Sequence, residues 1–329
     1  MKIAVVILNW NGKQLLEQFL PSVVKYSEDA DVYIADNAST DDSVEFVKES
    51  FPSIRIIQNE SNDGYAKGYN DALKHINADI FCLLNSDVEV TEEWLSPISE
   101  IFTKDRKTVI VQPKILDQKQ KEFFEYAGAA GGFIDKYGYP YCRGRVFNHV
   151  EQDHGQFNDT ISIFWASGAC FFIKKVAFQE LKGFDESYFA HMEEIDLCWR
   201  AKNAGYDVKY VGASTIYHIG GATLKNTNPK KTYLNFRNSL FNLTKNSAGI
   251  LLPKLLIRLL LDGVAGIRFI LQFKPIHTLS IIRAHFSFYY HFPRLLRQRN
   301  QPSLCKKYWH RKSIVWLHFV YRKNNFDSL

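Results

Sequence analysis

A chain of 329 residues is long for one domain of roughly 100–200 residues and short for three, so one large core with an appendage is expected. With 46% hydrophobic and 23% charged residues it has the composition of a folded globular protein, which excludes a disordered or collagen-like chain. The net charge of +6 is unevenly divided: residues 1–244 hold 26 Lys and Arg against 33 Asp and Glu, whereas residues 245–329 hold 15 against 2. The last quarter is therefore expected to face an anionic partner.

The chain opens on an apolar run, Ile3 to Leu8, read as a buried strand and too short for a signal peptide. A helix-period segment from Lys13 to Tyr26 follows, then a strand at Val32–Ala35 and a helix signalled by the capping residues Ser39–Ser43. A third strand at Ile54–Ile57, a helix near Tyr69–His75 and a fourth strand at Ile80–Leu84 complete the βαβ alternation. This pattern predicts an α/β fold, a largely parallel sheet covered on both faces, with the ligand site at the strands' carboxyl ends. A fifth strand is expected at Val109–Gln112, an irregular excursion at 126–160, one apolar strand at Ile161–Lys174, a helix at Asp196–Ala204 and a strand at Val208–Val211.

The five cysteines, Cys82, Cys142, Cys170, Cys198 and Cys305, show no CxxC spacing, which argues against a disulfide framework or a zinc site. In the tail, Leu251–Phe273 and Thr278–Leu296 mix apolar and aromatic residues with Lys254, Arg258, Arg268, Lys274, Arg283 and Arg294. Cationic amphipathic helices at an anionic membrane surface are expected, weighed against helices packed on the core with a basic outer face. Aromatics set among long aliphatic runs suit lipid better than nucleic acid. Charges interrupt the region long enough to span a bilayer, so a cytoplasmic protein, peripheral on the inner face of the membrane, is predicted.

Polar residues gather where the strands end: Asn9 and Asn11, Asp36 and Asn37, Asn59 and Asn62, and Asn85-Ser86-Asp87. Gly64 and Gly68 stand just before a helix, where a phosphate can approach the backbone. A carboxylate such as Asp87 at a strand end can hold a divalent ion that binds a diphosphate. Glu193, Glu194 and Asp196 place three carboxylates in four residues after His191, a crowding that raises proton affinity and can tune a general base. His218 before Gly220-Gly221 can complete a metal site.

The ordered set Asn9-Trp10-Asn11-Gly12, Ala35 to Asp41, Asn62-x-Gly64-Tyr65-Ala66-x-Gly68-x-Asn70, Leu83 to Asp87, Gly183 to Glu186, Glu193-Glu194-x-Asp196-Leu197 and His218-x-Gly220-Gly221 resembles family 2 glycosyltransferases of the GT-A fold. The likeness is closest to the bacterial rhamnosyltransferase-like branch and covers about residues 1–225. It implies a GT-A catalytic domain at 1–235 followed by a basic helical region at 236–329. It also implies an inverting transferase that moves a sugar from a nucleoside-diphosphate sugar to a saccharide or lipid-linked acceptor. By the same resemblance Leu8, Asn9, Asn11, Asp36, Asn62, Gly64, Lys67, Gly68, Asn85 and Ser86 bind the nucleotide, and Asp87 with His218 holds Mg or Mn. Glu194, with Glu193 as its neighbour, supplies the base. Trp165 and His191 are the expected acceptor contacts. Asn85 stands where the family carries the first Asp of its DxD triplet, and Glu194 where it usually carries Asp. A non-catalytic nucleotide-sugar binding protein on the same scaffold remains the alternative.

Overall fold

The apolar run at the amino terminus folds as β1 (Ile3–Asn9), followed by α1 (Lys13–Tyr26), β2 (Ala30–Asp36), α2 (Ser43–Ser50), β3 (Arg55–Gln58), α3 (Gly64–Leu73) and β4 (Ile80–Asn85), in the expected order. The computed structural model describes residues 1–220, 228–299 and 303–329, so Gly221 lies outside the described residues. β1 is buried on both faces. Ile3, Val5 and Ile7 share a core with Leu16, Leu20 and Val23 of α1, while Ala4 and Val6 share another with Tyr69, Ala72 and Leu73 of α3. Burial on both sides is why the strand reads as a continuous apolar run rather than an alternation. In α1 the buried Leu16, Phe19, Leu20 and Val23 recur at one-turn spacing, which sets its inward face. α3 starts at Gly64, ahead of the expected Tyr69.

β5 (Val88–Val90), α4 (Ser96–Lys104) and β6 (Thr108–Asp117) come next. The stretch read as irregular, 126–160, instead carries a small antiparallel sheet of β7 (Gly132–Ile134), β8 (Pro140–Cys142), β9 (Arg145–Val146) and β10 (His149–Val150). Strands of two or three residues are too short to show alternation in sequence. The expected single strand at 161–174 is two, β11 (Thr160–Ser162) and β12 (Cys170–Lys174), which pair with different partners. α5 (Lys175–Glu180), α6 (Glu193–Asn203) and the long β13 (Asp207–His218) complete the catalytic-domain region expected at 1–235.

The main sheet runs β11-β13-β6-β12-β4-β1-β2-β3, with β5 also on β13. β1 pairs parallel with both β2 and β4, and β12 runs antiparallel between β4 and β6. The chain leaves β1 toward β2 and β3 on one side and returns as β4 on the other. The crevice at the carboxyl end of β1 is therefore the switch point where such sheets bind ligands.

The tail forms α7 (Pro229–Asn246), α8 (Leu252–Leu271), α9 (Pro275–Gln298) and α10 (Ile314–Phe319). Residues 235 and 236, the expected boundary, lie inside α7. α8 and α9 occupy the two segments read as amphipathic helices, but Lys254 and Arg258 are buried rather than on a basic outer face. Among the described residues no helix is long and apolar enough to cross a membrane.

Candidate active site

At the ends of β1, β2 and β3 the polar side chains bind one another. Asp36, 0% exposed, accepts from Asn9 Nδ2 (2.9 Å), Ser39 Oγ (2.5 Å), Ser39 N (2.9 Å) and Gln58 Nε2 (2.6 Å). Both carboxylate oxygens accept hydrogen bonds within the protein, so a nucleotide reaching Asp36 would share or replace one of these partners. Asn9 donates to Asp36, Ser39 and Ser43, while its Oδ1 is buried without a hydrogen-bond partner. Gly12 matters here because a Cβ would stand 2.4 Å from that oxygen. Asn11, at φ 49°, accepts from Thr40 N (2.7 Å) and ties the first loop to the second. Trp10 between them is 53% exposed.

The glycines of the third loop serve packing. Gly64 has φ +91°, and a Cβ on it would lie 2.3 Å from the carbonyl oxygen of Phe189. A Cβ on Gly68 would meet the Asn37 amide at 2.6 Å and Leu8 Cδ1 at 2.9 Å, which places Leu8 and Gly68 together under β1. The first amides of α3 are engaged: Gly64 N donates to Asn62 Oδ1 (3.2 Å) and Tyr65 N to Phe189 O (2.8 Å). These two amides are thus not open to a phosphate. Lys67, expected on the diphosphate, pairs with Asp71 one turn along its own helix. A groove of about 380 Å³ is lined by Gln58, Asn59, Ser61, Lys67, Asp71 and His75 but by no residue of β1, β4 or α6.

The turn after β4 carries half-buried Asn85 and Ser86 and buried Asp87. Pairing of β5 with the end of β13 brings His218 opposite Val88, and its Nε2 lies 3.1 Å from Asp87 Oδ1. Two donors at right angles around a divalent ion with bonds of about 2.1 Å stand roughly 3 Å apart, so this pair fits adjacent ligands of one ion. His218 Nδ1 has no hydrogen-bond partner and sits 3.4 Å from Glu125 Oε1, the carboxylate-behind-imidazole arrangement that orients metal-binding histidines. Burial disfavours the charged ring, but Glu125 and Asp87 outweigh it and push its pKa up to about 10, so a cation bound by Nε2 would have to displace a proton from the ring. Among the described residues no three His, Cys, Asp or Glu converge as a metal site, so the remaining donors would be substrate oxygens and water. Glu125 was not legible in the sequence, where it belongs to none of the motifs.

The carboxylates are delivered by a strained turn. Phe189, His191 and Met192 all take positive φ (65°, 68° and 73°), a backbone costing about 1–3 kcal/mol per non-glycine residue. α7 holds it in place: Asn238 Nδ2 donates to the carbonyls of Tyr188 (3.1 Å), Ala190 (3.1 Å) and His191 (2.7 Å). Arg237 adds bonds to Ser187 O and Tyr188 O (3.0 Å each), and Asn242 Nδ2 reaches Met192 O (3.0 Å). These α7 residues were missed in sequence, their one signal being the polar run Arg237-Asn238-Ser239 in a helix whose buried face is largely polar.

Beyond the turn the three acids separate in role. Asp196 is fully buried against Arg200 (2.7 Å), Asn246 (2.8 Å) and Lys245 (3.0 Å); these partners overcome the effect of burial and hold it well below the usual carboxylate range. It anchors α6 to α7. Glu193 is buried with Oε2 unpartnered, and burial and its neighbour Glu194 push its pKa well up. Glu194 is half-buried and pushed up to about 7 by burial. Its Cδ lies 4.0 Å from where a Cβ on Gly168 would stand, and Tyr65 Oη, 2.9 Å from Gly168 O, closes the other side. His191 is pushed down to about 4 by burial and by Lys231, and its buried Nε2 has no hydrogen-bond partner. Trp165, expected to stack on a sugar, is instead 3% exposed, with its indole donating to Phe133 O (2.8 Å) and its ring against Gly132.

Residues 4–182 match the model of glycosyl transferase family 2. The low-salt glycan biosynthesis hexosyltransferase Agl10 of Haloferax volcanii is 24% identical over 213 residues, which are 63% of this chain and 63% of that protein. The match thus spans less than two thirds of that relative's length. The N-acetylglucosaminyl-diphospho-decaprenol L-rhamnosyltransferase of Mycobacterium tuberculosis is 24% identical over 232 residues, 66% of this chain and 75% of that protein. The structure of the mannosyltransferase PcManGT from Pyrobaculum calidifontis with GDP-Man and Mn2+ superposes with a TM-score of 0.55 at 13% identity, covering 88% of this chain and 87% of that one. The mixed sheet flanked by helices is accordingly the GT-A fold.

Proposed function

This chain belongs to glycosyl transferase family 2, and from that premise we propose that it is an inverting glycosyltransferase acting on a nucleoside-diphosphate sugar. The observation that carries the reading is the strained turn 189–192, which sets half-buried Glu194 beside Gly168 at the carboxyl end of the sheet. Glu194 accepts the proton of an acceptor hydroxyl. That oxygen bonds to the anomeric carbon from one face as the bond to the diphosphate oxygen breaks on the other, and the nucleoside diphosphate leaves with the electron pair. Neutral His191, whose buried ring nitrogen has no hydrogen-bond partner, would orient the acceptor once the acceptor reaches it, and the exposed ring after β1 is Trp10 rather than Trp165.

Asp87 and His218 would hold a divalent cation, as their 3.1 Å separation allows. When bound there, the ion supplies charge stabilisation to the departing diphosphate. Glu125 fixes the ring of His218, and the network around Asp36 keeps Asn9 at the mouth of the nucleotide pocket. A lipid-linked saccharide as acceptor agrees with the decaprenol-linked substrate in the name of the mycobacterial relative.

Replacing Glu194 with Gln tests the assignment. Transfer should fall by at least about 10³-fold while the dissociation constant for the donor nucleotide changes little. Turnover near the unaltered rate would remove Glu194 from the mechanism.

A further inference from the structure

α8 is built inside out. Its buried face carries Lys254, Arg258, Asp262 and Gly266, spaced one turn apart, and its outer face carries Leu256, Leu260, Val264, Ile267 and Leu271 at i, i+4, i+8, i+11 and i+15. The buried charges are satisfied. Arg258 Nε donates to Asp262 Oδ1 (2.8 Å) and its Nη1 to Ser239 Oγ (2.7 Å), while Asp262 also accepts from Tyr139 Oη (2.8 Å). This stripe pins the helix to α7 and to the β7–β8 turn. The outer face of α9 continues the apolar surface with Ile276, Leu279, Ile282, Phe286 and Tyr290, and Phe273 at the turn between the helices is 95% exposed.

A helix in water turns its charges outward and its leucines inward. The reverse arrangement here leaves an apolar area exposed among the described residues, of the kind that marks a partner or membrane surface. Its border identifies the occupant. Arg268 of α8, Lys274 of the turn and Arg283 of α9 are exposed, and Arg268 lies 4.6 Å over the ring of Phe319 on α10, where Trp316 is also exposed, as is Tyr321 just beyond it. Asp262, one of the two acids in residues 245–329, is buried. An apolar face that carries Arg283 within its α9 stripe, Arg268 and Lys274 beside it and amphipathic aromatics at its edge matches acyl chains beneath anionic headgroups, the long cationic side chain reaching up to them.

We propose that the outer face of the α8–α9 hairpin, with the edge of α10, lies in one leaflet of an anionic membrane. The apolar residues sit in the acyl layer and the cations among the headgroups. Insertion, rather than charge alone, holds the protein there. This inference does not depend on the sugar-transfer reading, and the two are measured separately.

The test is flotation of the full chain with vesicles of phosphatidylcholine, with and without added phosphatidylglycerol. The protein should float with both, more strongly with the anionic lipid, and resist elution by high salt. Leu260→Glu combined with Leu271→Glu should lower partitioning by about tenfold or more, while donor hydrolysis in detergent stays unchanged. Should that variant fail to fold, the unaltered chain still answers: acyl-brominated lipid should quench its fluorescence, and Trp316→Phe should remove part of that quenching. Absence from both vesicle fractions overturns the proposal. So does salt-reversible binding to anionic vesicles alone, or a dimer that Leu260→Glu separates in a chain that ignores lipid.

Discussion

Glu194 and Glu193 show how burial raises the proton affinity of a carboxylate toward neutrality, as the base role proposed for Glu194 requires. Burial disfavours both charged forms, and the negative charge of one disfavours that of the other, so the pair titrates as a unit. A group whose proton affinity is raised is protonated, and useless as a base, below its pKa. Transfer measured as kcat/KM should therefore rise with pH through an inflection near 7 and lie about 30-fold lower at pH 5.5 than on its plateau. A flat profile between those values, measured with saturating cation, would show that the pair does not carry the rate-limiting proton. His191 stays neutral over the same range because burial and Lys231 push it down to about 4. Part of this was legible in the sequence, since three acids in four residues signal crowded charge. What was not legible is which acid would be neutralised: Asp196 finds Lys245 and Asn246, about fifty positions away, and becomes structural.

α7 is the element on which the site depends. Asn238 alone donates to three carbonyls of the turn before the acids, and those bonds hold three positive-φ residues in place. Asn238→Ala should lower kcat by about tenfold or more and leave the donor KM within a few-fold, because the acids move while the nucleotide pocket does not. Asn238→Asp should fail to restore it, since a carboxylate offers no donors to three carbonyls; recovery by Asp would refute the positioning role. Periodicity found α1 and β1 in the sequence because their buried residues are apolar. It passed over α7, whose inward residues include Asn238, Ser239, Asn242, Thr244 and Lys245. In α8 the period was legible but its direction was not: a stripe of charge and a stripe of leucine look the same in sequence whichever one faces the protein.

For the whole molecule, ligand binding at one crevice should register as stability of the entire fold. Asn9, Asp36 and Gln58 bind one another at the ends of β1, β2 and β3, and Asp87 meets His218 beyond β4, so a ligand that spans both sets would tie together both halves of the sheet. A saturating nucleoside-diphosphate sugar with Mn2+ should raise the melting temperature by about 5 °C, and chelation should remove most of that gain, as should Asp87→Asn. An equal shift with and without the ion would separate donor binding from Asp87 and His218. The acidic front and basic rear seen in composition correspond to this crevice and to the helices α8 to α10. Their meeting element is α7, which packs against α6 on one side and α9 on the other.

The turn at 189–192 also bears on how far this protein can be cut. The groups that restrain it lie at residues 237–242, past the family match that ends at 182 and across the partition expected at 235/236. A chain ended before residue 237 would still contain every acid of the site in its covalent sequence, but would lack the side chains that hold the turn before them. The smallest autonomous unit of chemistry in this protein is therefore longer than its sheet, and deletion of the rear helices can be tolerated only beyond α7.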